Sequence, residues 1–264
     1  MDGADGGHPG SLHVQFMGTF RLIYDGRELS LAKSYTGKAM QLLILLLYSG
    51  EAGVSKESIR KAIYPEAGKD AGNCLKALLF RLRQKLAKSG LPGEQHILYE
   101  KGGYRLTRHM QGFRDVARFE EAAQMALRAQ GEQQIPLLRE ACLAYGGELL
   151  PALMAQPWVA EENARLGNMF DHTAQALYRQ QMRRCAYDGA YAIAKRASML
   201  RPTDEQWRCR TIKSLLLQGE RQRAFEEYGS AVEIFIHTGG LEGADRFAGK
   251  LAVSLESVQR PQGK

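Results

Sequence analysis

Leucines at positions 75, 78, 79, 82 and 86 recur at three- and four-residue spacing, so AGNCLKALLFRLRQKLAKSG, beginning at Ala71, is predicted to be an α-helix with one buried stripe. At 3.6 residues per turn, Asn73, Ala77, Phe80 and Gln84 fall opposite that stripe, Lys76 and Arg81 flank them, and Arg83 and Lys85 lie nearer the leucines. Ser89-Gly90-Leu91-Pro92-Gly93 ends the helix. Two short β-patterned runs follow, His96 to Tyr99 and Tyr104 to Thr107, around Glu100-Lys101-Gly102-Gly103, where Gly-Gly is expected to supply the positive φ of a tight hairpin. Upstream, Leu12, Val14 and Phe16, then Phe20, Leu22 and Tyr24, alternate as strands do, with Asp25-Gly26 as a turn signal. The continuous apolar run in MQLLILLLYSG predicts a buried helix that Thr36 would cap and Gly50 would end. Ser55 is the expected cap of a further helix, SKESIRKAIYPE, with Ser55 and Ser58 both possible start residues and Pro65 ending it.

From Gln111-Gly112 onward the pattern is helical only. The predicted spans are Asp115 to Gln130, Glu132 to Tyr145, Trp158 to Tyr187, Ala190 to Leu200, Thr203 to Gln218, Arg221 to His237 and Leu241 to Val258. Asp188-Gly189-Ala190-Tyr191 with Ala194 matches Gln218-Gly219-Glu220-Arg221 with Ala224, a spacing of 30 that suggests helix-hairpin repeats of the tetratricopeptide kind. The expected fold is therefore mainly α: a winged helix-turn-helix (small β-sheet, three helices, β-hairpin wing) followed by an all-α helical-repeat domain. The expected boundaries are a disordered amino terminus over 1–11, the winged helix over 12–110 and the repeat domain over 113–258.

Charge divides the chain at the same place. Residues 11–110 hold 16 Lys and Arg against 8 Asp and Glu, whereas residues 111–264 hold 20 against 19. Nearly all of the net charge of +7 thus sits on the predicted winged helix, as expected where a polyanion-binding domain is joined to a neutral one. No apolar run approaches the roughly 18 residues a membrane span needs, and the opening MDGADGGHPGS lacks the features of a signal peptide. A soluble, cytoplasmic protein is the expectation. Cys74, Cys142, Cys185 and Cys209 are too far apart for a zinc motif and are expected to be reduced, half-buried thiols. The six histidines show no HExxH spacing, and no GxSxG or P-loop is present, so no enzyme, cofactor or metal is expected.

The segments LHVQFMGTFRLIYDGRELSL, LLILLLYSGEAGVSKESIRKAIYPE, NCLKALLFRLRQKL and EKGGYRL resemble the OmpR-type winged helix with its amino-terminal sheet. RDVARFEEAA, Pro157-Trp158, LRPTDEQWRC and QGERQRAFEEY resemble the bacterial transcriptional activator domain, and the tandem, over about residues 12–258, is similar to the SARP-type (antibiotic regulatory protein) transcriptional activators. That resemblance implies a third helix in the major groove of double-stranded promoter DNA, a wing on the adjacent minor groove, and a helical domain for activation. It also implies RNA polymerase as a partner and copies of the chain side by side on direct repeats. By motif, Arg81 would contact a base or phosphate, Arg83 a phosphate or a structural partner, and Lys101 would be the wing residue.

The resulting set of DNA-contact candidates is Asn73, Lys76, Ala77, Phe80, Arg81, Arg83, Gln84, Lys101 and Arg105. Phe80 could touch a thymine methyl, pack on the wing or meet a partner subunit. Tyr104 reads as hairpin core, and Lys56, Arg60 and Lys61 either meet phosphate or are simply exposed. A second function class stays open at this point: a protein-interaction adaptor that uses the helical repeat, with the winged helix as an interaction module. A clustered basic helix face and a basic wing favour the DNA-binding class.

Overall fold

The computed structural model describes residues 12–65, 71–91, 96–110 and 112–259, and the side chains of these except 71–73, 109 and 257–259. The expected disordered terminus, 1–11, lies outside the described residues. The chain divides into two compact units, one of Met1–Arg118 with Glu148–Leu166, the other of Phe119–Gly147 with Gly167–Lys264.

In the first unit the chain runs β1 (Leu12–Gln15), β2 (Arg21–Tyr24), β3 (Arg27–Glu28), α1 (Lys38–Ser49), β4 (Val54–Ser55), α2 (Lys56–Ile63), α3 (Ala71–Ala87), β5 (Ile97–Glu100), β6 (Gly103–Leu106) and β7 (Phe113–Arg114). One sheet has the order β3-β2-β1-β7, with Leu12 opposite Tyr24 across the antiparallel β1–β2 pair. β7 pairs parallel to β1, His13 with Phe113, so the helix-only reading beyond Gly112 is corrected by one short strand. Its pairing spans about a hundred residues of chain and leaves no local sequence signal. The second sheet, β4-β6-β5, carries the hairpin.

α1 is the centre of this unit. Met40 and the whole run Leu42–Leu47 are buried, and α2, α3 and β6 all pack on it. Its cap is Gly37, whose carbonyl accepts from the Met40 and Gln41 N–H groups, rather than Thr36. The Thr36 hydroxyl is engaged 2.8 Å from that of Ser34, and its carbonyl accepts from Gln41 Nε2. Ser55 does cap α2, its Oγ accepting from the Ser58 N–H at 3.0 Å.

Residues 148–166 complete the same unit. The Gly18 N–H donates to the Glu148 carbonyl and the Leu150 N–H to that of Phe16, 2.7 and 2.9 Å, with Met17 bridged to Leu149 between them. The Tyr48 hydroxyl donates to Glu162 Oε2 at 2.6 Å, and its ring lies between those of Phe16 and Trp158 at 5.4 and 5.6 Å. The Asp115 carboxylate accepts from the Phe16 and Met17 N–H groups. Burial raises its pKa against the pull of those bonds.

The remaining helices are α4 (Asp115–Arg128), α5 (Gln134–Ala144), α6 (Pro157–Arg183), α7 (Tyr187–Leu200), α8 (Glu205–Leu217) and α9 (Arg221–Gln259). The division between the units falls inside α4 and α6. α9 is broken at Gly240, φ 64°, ψ −162°, a conformation open to glycine and close to the predicted gap between His237 and Leu241. The second unit packs Ile212, Leu215, Ala224, Ala231, Phe235 and Phe247 into one core, and Tyr145 stacks on Phe170 at 4.4 Å.

Its repeat is real but longer than expected. α7 begins at Tyr187 and α9 at Arg221, 34 positions later. The same offset relates buried Ala190 to Ala224 and Ala197 to Ala231. It also relates Cys185 (φ 54°) to Gly219 (φ 82°), and the Ala186 N–H bond to the Gln181 carbonyl to that of Glu220 to Leu215. Thirty-four residues is the tetratricopeptide period. The spacing of 30 had equated Gly189 with Gly219, but Gly189 lies within α7, where a Cβ would come 2.7 Å from the Gln181 side chain.

Candidate nucleic-acid interface

α3 buries Leu75, Leu78, Leu79, Leu82 and Leu86 and exposes Lys76, Ala77, Phe80, Arg81, Arg83, Gln84 and Lys85. Seven of the nine candidates are thus exposed: six here and Lys101 on the hairpin. Asn73 belongs to α3 as well, but its side chain lies outside the described part. The helix contains no acidic residue along its 17 positions, and Lys76, Arg81 and Arg83 make no ion pair with a described residue. Phe80 stands out with 62% of its surface exposed, three positions beyond Ala77 and directly before Arg81. Arg81 lies near Tyr64, whose phenol is raised by burial while the guanidinium charge pulls it down.

The wing is a two-residue hairpin in which Glu100 pairs with Gly103. Lys101 (φ 49°) and Gly102 (φ 80°) are the two positive-φ residues, the combination of a type I′ turn. The expected assignment to Gly102-Gly103 is therefore shifted by one. Gly103 is needed for a different reason: a Cβ there would lie 2.6 Å from the Val54 carbonyl oxygen, where β4 crosses β6. Lys101 is exposed at the tip.

Arg105 behaves differently from the other candidates. Its Nε and Nη2 both donate to the Glu100 carboxylate at 2.9 Å, across the hairpin, and only 30% of its side chain is exposed. A bidentate pair of this kind leaves little of the guanidinium fork for another anion. On α2, Arg60 and Lys61 share Glu57, while Lys56 sits 4.4 Å over the Tyr99 ring, with its pKa raised by hydrogen bonding to that tyrosine. Tyr104 is half-buried, its ring 5.0 Å from that of Tyr99.

Two surface residues were missed in the sequence. Tyr99 is 51% exposed, and Cys74 is exposed on α3. Cys74 could have been found from its spacing, three before Ala77 and seven before Arg81; for Tyr99 the short hairpin offers too few alternations to fix a face. The thiols are also not half-buried as expected, since Cys74 and Cys185 are exposed while Cys142 and Cys209 are buried. Among the described residues no cluster of His, Cys, Asp or Glu could hold a metal, and no helix is long and apolar enough to cross a membrane.

A helix with a leucine core, an acid-free outer face and a lysine-tipped hairpin on the same supporting helix can present cations to a polyanion in a fixed geometry. No curated protein sequence matches the chain. Among solved structures, Mycobacterium tuberculosis EmbR, in complex with a low affinity phosphopeptide, is similar with a TM-score of 0.59 and 16% identity. The match covers 96% of this chain and 67% of that one, and at this identity it bears on the fold. The model of the bacterial transcriptional activator domain matches residues 114–245, half of the chain. With that domain behind a winged helix, in the arrangement of the SARP-type regulators, the chain belongs to the bacterial transcriptional activator domain family, a family of transcriptional regulators and not a class of enzymes.

Proposed function

We propose that the chain is a cytoplasmic, sequence-specific DNA-binding activator whose first unit reads a promoter and whose second unit contacts RNA polymerase. The observation that carries this reading is the exposed, acid-free face of α3 with Lys76, Arg81 and Arg83. In a B-DNA major groove Arg81 has the reach for guanine O6 and N7, flanked by Asn73, Ala77, Phe80 and Gln84 along the base edges. Lys76 and Arg83 take phosphates, and Lys101 carries the wing's charge to the neighbouring minor groove. Arg105 acts through Glu100, holding the wing straight. Copies bind side by side on direct repeats about 10–10.5 bp apart or a multiple of it.

Selection of bound fragments from genomic DNA with the full chain tests this. The expected result is an enriched motif in direct repeat, bound with an affinity that falls steeply with salt, and transcription stimulated from a promoter that carries it. Uniform recovery of all fragments would dismiss sequence reading and favour the adaptor role.

A further inference from the structure

We infer that Phe80, with Ala77 beside it, makes the reading surface select thymine at one position of the operator, by contact with the C5 methyl group. This rests on the DNA-binding reading proposed above. The sequence left three fates for Phe80: the wing, a partner subunit or a base. With 62% of its surface exposed, the side chain is not covered by the wing. A second copy meeting it face to face is a poor cover for it, because Lys76, Arg81 and Arg83 surround it without acidic relief on α3, and two such faces would repel, while copies side by side on direct repeats leave both α3 faces toward the DNA. A polyanion meets the cations and the ring together. In the major groove the apolar feature that a base pair offers is the thymine methyl.

The position along the helix sharpens the assignment. Ala77 and Phe80 are three residues apart and so neighbours on one face, and Arg81 follows immediately. A thymine contacted by Phe80 should therefore lie within a base pair or two of the guanine proposed for Arg81. Ala77 is small enough to let the ring approach the groove floor. Polar residues at 77 and 80 would instead have read hydrogen-bonding edges.

The experiment starts from the motif selected with the full chain and replaces its thymines one at a time by deoxyuridine, which removes only the methyl. At one position the wild-type protein should bind about fourfold more weakly, the equivalent of about 0.8 kcal/mol for one buried carbon. Phe80→Ala should bind thymine and uracil duplexes alike, whereas Phe80→Leu should keep part of the discrimination. Equal affinity of the wild-type protein for every uracil duplex, a motif with no constant thymine, or discrimination that survives in Phe80→Ala would each overturn the assignment. These results leave the DNA-binding reading intact. Failure of the selection to yield any motif would remove that reading, and this inference with it.

Discussion

Arginine and lysine are used in opposite ways in the helix packing of the second unit and on α3 of the first. In the second unit six cations are tied to partners. Arg196 donates to the carbonyls of Cys142, Leu143 and Tyr145, at 2.9–3.1 Å, where α5 ends. Arg201 pairs with Asp171, Lys195 with Glu227, and both Arg246 and Lys250 with Glu205. Arg210 lies 4.3 Å over the Trp207 ring. Burial works to raise Glu205, yet Lys250 and Arg246 hold its pKa below the ordinary value. On α3 the cations meet no described acid at all. Structural cations are recognisable by their partners, and a cluster with no acidic partner among the described residues is available to an anion outside the chain.

Thiol chemistry gives the largest contrast. Burial pushes the Cys142 thiol up to about 12, against the pull of nearby Arg196, and Cys209 up to about 11. Cys74 and Cys185 are exposed. Because the thiolate is the reactive form, a thiol whose pKa is raised by about three units loses about a thousandfold in reactive fraction near neutral pH. Iodoacetamide should modify Cys74 and Cys185 in the native protein and the other two only after unfolding, as read by mass spectrometry. Operator DNA should then protect Cys74 and leave Cys185 unchanged. Equal labelling of all four would contradict the burial described, and an unprotected Cys74 would take α3 out of the groove.

Arg196→Ala should cost on the order of 3 kcal/mol, since it strips charged donors from carbonyls at a helix end, and urea unfolding would measure it. Arg81→Ala, by the same measurement, should stay within about 0.5 kcal/mol of wild type. Its effect should appear instead as about 1–3 kcal/mol of lost discrimination at one base position. If the two substitutions destabilise equally, the distinction between tied and available cations fails.

The smallest effect concerns the wing. A lysine at φ 49° is held where asparagine or glycine is more at ease. Lys101→Asn should stabilise the protein by about 1 kcal/mol or less while flattening the plot of log K against log salt by about one unit. A variant that gains stability and keeps the full salt slope would show that the wing-tip charge is not used.

Local patterns were legible and distant ones were not. The α3 stripe, the β1–β2 alternation, the Ser55 cap and the break near Gly240 each rest on a few neighbouring residues, and the structure has them where the sequence puts them. The turn at Lys101-Gly102 was misplaced by one because consecutive glycines satisfy two needs, positive φ at Gly102 and close approach at Gly103. The repeat was misread because Gly189 resembles Gly219 in sequence while Cys185 matches it in backbone angle. Arg105 looked like part of the basic surface because a cross-hairpin partner at Glu100 is only visible once the strands are in register. β7 and the return of Glu148–Leu166 have no signature within any window of residues.

That return has a consequence for how the protein is made. The last contribution to the first unit is synthesised 48 residues after the first stretch of it ends at Arg118. At roughly 5–20 residues per second, about 2–10 s pass between the synthesis of Arg118 and that of Leu166, and until then the Phe16 carbonyl, the Tyr48 hydroxyl and the edge at Met17 do not have all of their partners Leu150, Glu162 and Leu149. Helices of the second unit emerge in the interval. The nascent chain thus has an exposed strand edge during translation, and a ribosome stalled before codon 166 holds a winged helix that has not closed. Conversely, a fragment cut at residue 110 lacks Asp115 and Glu148–Leu166 and is a poorer stand-in for the DNA-binding half than its length suggests.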